Sequence, residues 1–130
     1  MQNKAPIVLF ADEDAQALDQ ILLRIEPTFT TVSLRTVAPL MGYVRRLHPD
    51  VVVLSDRLRY RRQDSRRILS RLCEEYRGAI ILLTDCLAES ERLHWVERGA
   101  HDCLLHPTRT TERILRLADR IFELAHRRNA

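Results

Sequence analysis

Five short apolar runs alternate along this chain with amphipathic stretches, and that alternation constrains the fold more than any other feature. Ile7-Val8-Leu9-Phe10-Ala11 is too short for a helix and ends in acids, so it reads as a buried strand. The stretch Asp14 to Ile25 sets Leu18, Ile21, Leu22 and Ile25 on one helical face, and Pro27 stops it. Thr30 to Thr36 alternates Val32 and Leu34 with polar residues, as a strand does. Pro39 opens a helix carrying Leu40, Val44 and Leu47, and Pro49 closes it.

Val51-Val52-Val53-Leu54 is the most strand-like segment. After an arginine-rich loop, a helix is predicted from Asp64 to Tyr76, with Ile68, Leu69, Leu72 and Cys73 inward and Gly78 at its end. Ala79 to Thr84 makes a fourth strand. Leu87 to Arg98 makes a helix with Leu93 and Val96 inward, closed by Gly99. Cys103-Leu104-Leu105 makes a fifth strand, and Thr110 to Arg127 a last helix striped by Ile114, Ala118, Ile121 and Ala125. Strand-then-helix units in this number imply an α/β fold: a doubly wound five-stranded parallel sheet with helices on both faces. At 130 residues, positions 1–130 form a single domain.

Composition narrows the class. With 45% hydrophobic and 30% charged residues the chain reads as soluble and globular. No apolar run approaches the roughly 18 residues that span a bilayer. Met1 to Pro6 lacks the apolar stretch of a secretion signal, so a cytoplasmic location is expected. Cys73, Cys86 and Cys103 are odd in number and widely spaced, which suits reduced thiols. The histidines His48, His94, His101, His106 and His126 show no metal-ligand spacing, which argues against zinc.

In open parallel sheets, function gathers at the carboxyl ends of the strands. The first strand ends in Asp12-Glu13-Asp14, the third in Ser55-Asp56, the fourth in Thr84 and the fifth in His106-Pro107. If the first and third strands are neighbours, Asp12, Glu13 and Asp56 converge, and clustered carboxylates of this kind suit Mg²⁺. Taken singly, each acid could do no more than cap the next helix or pair with an arginine.

Taken together, these endings resemble the response-regulator receiver family (CheY-like) across nearly the whole chain. The resemblance rests on Val8-Leu9-Phe10-Ala11-Asp12-Glu13, Pro49-Asp50-Val51-Val52-Val53-Leu54-Ser55-Asp56 and Ile81-Leu82-Leu83-Thr84. Its most specific part is Gly99-Ala100-His101-Asp102-Cys103-Leu104-Leu105-His106-Pro107, which is similar to the family's Gly-Ala-x-Asp-aromatic-Leu-x-Lys-Pro ending. The resemblance implies a flavodoxin-like receiver architecture and a two-component phosphorelay signalling module, not an enzyme. It implies that Asp56 is the phosphoacceptor and that Asp12, Glu13 and Asp56 hold Mg²⁺. Thr84 and the residue at His106 would contact the phosphoryl group. A sensor histidine kinase or another signalling protein is the implied partner.

Four departures make the chain an atypical member of that pattern. His106 stands in the place of the family lysine, and the sole lysine, Lys4, precedes the first strand. Cys103 replaces the switch aromatic, and Tyr60 occupies the place of the loop proline. The usual spacing from Pro49 selects Ser55 as acceptor, one residue before Asp56, and such a slip moves a side chain to the other face of a strand. A phosphorylation-independent pseudo-receiver, acting as a protein interaction module, is therefore the competing expectation.

A third comes from Arg57, Arg59, Arg61, Arg62, Arg66 and Arg67, whose guanidinium forks suit a phosphate or nucleotide ligand. A solvated basic face is the plain alternative. A nucleic-acid partner is disfavoured for lack of interleaved aromatics. In the last helix Arg113, Arg116 and Arg120 lie among Glu112, Asp119 and Glu123. That pattern suits a solvated surface or a homodimer face built from the last two helices. Trp95 either joins that face or packs inside.

Overall fold

The computed structural model describes residues 5–12, 15–26, 28–36, 38–56, 64–85, 88–107 and 110–129. Met1, Lys4, Glu13, Asp14, Pro27, Arg57, Arg59, Tyr60, Arg61, Arg62, Cys86 and Leu87, named above, lie outside the described residues. So do the side chains of Leu18 and Asp64.

Strands and helices alternate as the apolar runs predict: β1 (Ile7–Ala11), α1 (Ala15–Ile25), β2 (Thr30–Leu34), α2 (Leu40–Leu47), β3 (Val51–Ser55). The second half continues with α3 (Asp64–Glu75), β4 (Ala79–Thr84), α4 (Glu89–Glu97), β5 (Asp102–Leu105) and α5 (Thr111–Asn129). The strands form one sheet in the order β2-β1-β3-β4-β5, with every pair parallel. β1 and β3 are direct neighbours, with Ala11 opposite Leu54, so their carboxyl ends open at one rim.

Strand alternation divides the core into two layers. On one face Leu9, Val52, Leu54, Ile80, Leu82 and Cys103 pack with Leu40 and Val44 of α2, Leu69 and Leu72 of α3, and Trp95 of α4. On the other, Val8, Phe10, Val51, Val53 and Ile81 pack with Ile21 and Ile25 of α1 and Leu117, Ile121 and Ala125 of α5. β3 and β4 are buried on both faces along their whole length. This accounts for their unbroken apolar runs. Each valine of β3 contributes about 1.5–3 kcal/mol by leaving water.

Polar groups fix where elements begin. Asp50 Oδ2 accepts the Ile7 N–H at 2.8 Å, while the Asp50 N–H donates to the Ile7 carbonyl at 2.8 Å. The start of β1 is thus stitched to the turn before β3. The Tyr76 hydroxyl, buried past the end of α3, donates to the Pro49 carbonyl at 2.8 Å and ties that turn to the opposite helix.

Three expectations need correction. β2 ends at Leu34 rather than Thr36. Leu93 and Val96 are exposed, at 48% and 37%, and Trp95 takes the inward position of α4. Trp95 offers the largest apolar surface on that helix, and its Nε1–H is satisfied by Glu91 Oε1 at 2.9 Å, so the indole can be buried without an unmet donor. Cys73 is exposed on α3, although its Sγ donates to the Arg98 carbonyl at 3.6 Å.

Candidate functional site at the carboxyl rim

Three residues project from the carboxyl rim with their backbones fixed by the sheet. The N–H of Asp12 donates to Leu34 at 3.0 Å, that of Asp56 to Leu83 at 2.9 Å, and that of His106 to Thr84 at 2.8 Å. Each is the first residue past its strand, and each extends the ladder of its neighbour. The backbone of each of the three is thus tied to a neighbouring strand by a hydrogen bond.

Alternation decides which face each one serves. Asp12 continues the series Val8, Phe10, and Ser55 continues Val51, Val53, both toward the α1–α5 side. Asp56 continues Val52, Leu54, and Thr84 continues Ile80, Leu82, both toward the side of α2, α3 and α4. Ser55 has no solvent exposure, whereas Asp56 is half-buried at the rim.

A close contact at the rim joins the end of the first strand to that of the last. His106 Nε2 lies 2.5 Å from Asp12 Oδ2, and the two side chains are 1% and 3% exposed. A carboxylate can only accept, so the bridging hydrogen is donated by the imidazole. The backbone of His106 is held a second time, because Arg113 Nη1 of α5 donates to its carbonyl at 3.5 Å. The ring of His106 meets the buried acid that follows β1, a pairing that spacing along the chain does not reveal.

Cys103, opposite Leu82 in the β4–β5 ladder, is buried in the layer of α2, α3 and α4. Its thiol is pushed up to about 12, first by burial and then by the negative charges of Glu91, Asp102 and Asp56, with Arg92 opposing. The thiol is therefore protonated and inert at neutral pH.

Asp12 and Asp56 are hard oxygen donors of the kind Mg²⁺ takes, so the donor chemistry fits that ion. Among the described residues no three His, Cys, Asp or Glu side chains are grouped to hold a metal ion. The third expected acid, Glu13, lies outside the described residues, as do four of the six loop arginines. In the last two helices, Arg116 pairs with Glu112 at 3.9 Å, and Arg120 bridges Asp102 at 2.7 Å and Glu123 at 2.6 Å. Trp95, 6% exposed, packs inside rather than at the surface.

No protein-family model matches this chain, and no curated protein matches it in sequence. Solved structures do. The receiver domain of the Francisella response regulator 1452 superposes with a TM-score of 0.82 at 22% identity, covering 94% of this chain and 98% of that one. CheY6 from R. sphaeroides, solved with the P1 domain of CheA3, gives 0.74 at 19% identity, over 94% and 98% of the two chains. The Mn²⁺-bound form of response regulator Rcp1 gives 0.70 at 16% identity, over 92% and 94%. The chain has the CheY-like receiver fold, and the flavodoxin-like architecture expected from the sequence is the one observed. Among the described residues no helix is long and apolar enough to cross a membrane.

Proposed function

We propose that this chain is a receiver domain in two-component phosphorelay signalling, with Asp56 as its phosphoacceptor. The observation that carries this reading is the contrast at the end of β3. Ser55 is wholly enclosed in the sheet, while Asp56 emerges at the rim on the face of Thr84. In the transfer, an Asp56 carboxylate oxygen forms a bond to the phosphorus of a phosphohistidine or small phosphodonor. The bond from phosphorus to the donor's leaving group breaks, and that group departs with its electron pair.

In this reading Thr84 donates its hydroxyl to a phosphoryl oxygen. Held by Asp12, Glu13 and Asp56, Mg²⁺ would supply the positive charge that lets a carboxylate approach an anionic phosphoryl group. The imidazole of His106 contacts the carboxylate of Asp12. The partner is a sensor histidine kinase or a related signalling protein, as for the CheY6 neighbour solved with a CheA3 domain, and the location is cytoplasmic.

Two observations favour a second reading, the phosphorylation-independent interaction module. The buried His106–Asp12 contact engages an acid of the pocket internally, and Cys103 offers no ring to rotate toward Thr84. Incubation with acetyl phosphate and Mg²⁺ followed by intact-mass measurement separates the two. The first reading expects one phosphoryl adduct, absent from Asp56→Asn. No adduct on the unaltered protein favours the interaction module, and an adduct that persists in Asp56→Asn places the acceptor elsewhere.

A further inference from the structure

We infer that His106 is a built-in competitor for the divalent cation, setting how tightly the pocket binds one; this rests on the proposal that Asp12 belongs to the cation site. The geometry is specific. The imidazole reaches Asp12 Oδ2 at 2.5 Å in a place closed to solvent. Its backbone is fixed from both sides, by Thr84 through the N–H and by Arg113 through the carbonyl. The ring is aimed at Asp12 by the sheet and by α5, so the contact is a property of the fold.

A donated N–H draws electron density from the carboxylate oxygen it meets, and that density is what binds a hard cation. It also fixes the rotation of the carboxylate, so a cation must accept Asp12 as it is already held. Binding of the cation and retention of the hydrogen bond therefore oppose one another. Hydrogen bonds to charged groups are strong enough to make this opposition measurable, on the order of a ~10-fold change in affinity.

The test is direct titration of the full chain with Mn²⁺, read by electron paramagnetic resonance of the free ion and independent of phosphorylation. His106→Ala should bind Mn²⁺ ~10-fold more tightly than the unaltered protein. His106→Gln, which restores an N–H donor at similar reach, should return the affinity toward the original. Trp95 fluorescence and circular dichroism establish that each variant is folded. Equal affinity in a folded His106→Ala, or equal gains in both variants, overturns the inference while leaving the cation site intact. Absence of saturable binding in all three proteins overturns the inference together with the proposed cation site. The acetyl phosphate experiment then still decides the acceptor role of Asp56 on its own.

Discussion

His101 and Ile80 bond to one another twice: the His101 N–H donates to the Ile80 carbonyl at 2.8 Å, and the Ile80 N–H donates to the imidazole Nδ1 at 3.1 Å. A side chain thus completes the β4–β5 ladder where the backbone of β5 has not yet begun. Nδ1 can accept only while it carries no proton. The ring's affinity for protons is lowered, first by burial and then by the positive charge of Arg120.

A histidine whose folded pKa is depressed contributes stability that is full above its unfolded value, about 6.5, and is lost as pH falls through the folded one. The melting temperature should therefore drop between about pH 7.5 and about pH 5.5, and His101→Asn, which accepts without titrating, should reduce that drop. An unchanged pH dependence in His101→Asn would remove the clamp from the explanation.

Cys103 sets the opposite limit. Its thiol is raised from 9.0 to about 12, chiefly by burial. Its contribution is complete below about pH 9 and drains away as pH climbs toward the folded value. Cys103→Ala should flatten alkaline unfolding above about pH 9. At neutral pH iodoacetamide should label the exposed Cys73 of the native protein and spare Cys103 until denaturant is added, as peptide mapping would show.

Gly99 follows α4 with φ +113°, a conformation that side chains avoid, and a Cβ there would collide with Cys73 Sγ on α3. Gly99→Ala should destabilise by about 2 kcal/mol in urea unfolding. Adding Cys73→Ala should recover part of that loss, because it removes the collision and leaves the backbone strain. Full recovery would show that strain is negligible; none would show that the collision is.

Tyr76→Phe deletes the hydroxyl that meets the Pro49 carbonyl and keeps the ring in the core. The expected cost is about 1–2 kcal/mol, with an unchanged denaturant slope. A cost near zero would mean that water replaces the hydroxyl at Pro49.

The sheet was legible because Val8, Val52 and Ile81 sit in runs that only a strand buried on both faces demands, and those runs are all local. α4 was not, because Leu93, Trp95 and Val96 all favour burial and one helix face cannot take all three; the indole wins through area and its bond to Glu91. At the rim, Asp12, Asp56, Thr84 and His106 were recognisable from their places after strands. Their mutual arrangement was not. Whether Ser55 or Asp56 reaches the rim depends on strand register and face. The His106–Asp12 contact depends on how far a side chain reaches across the end of a sheet, which spacing in the sequence does not encode.

The strand order has a consequence for synthesis. β1 emerges first from the ribosome, yet the imidazole that meets its terminal acid arrives 94 residues later, on an edge strand. A nascent chain can bring β2, β1 and β3 together before this contact exists. The contact thus requires the last strand to be docked, and a fragment lacking β5 would leave Asp12 without its imidazole.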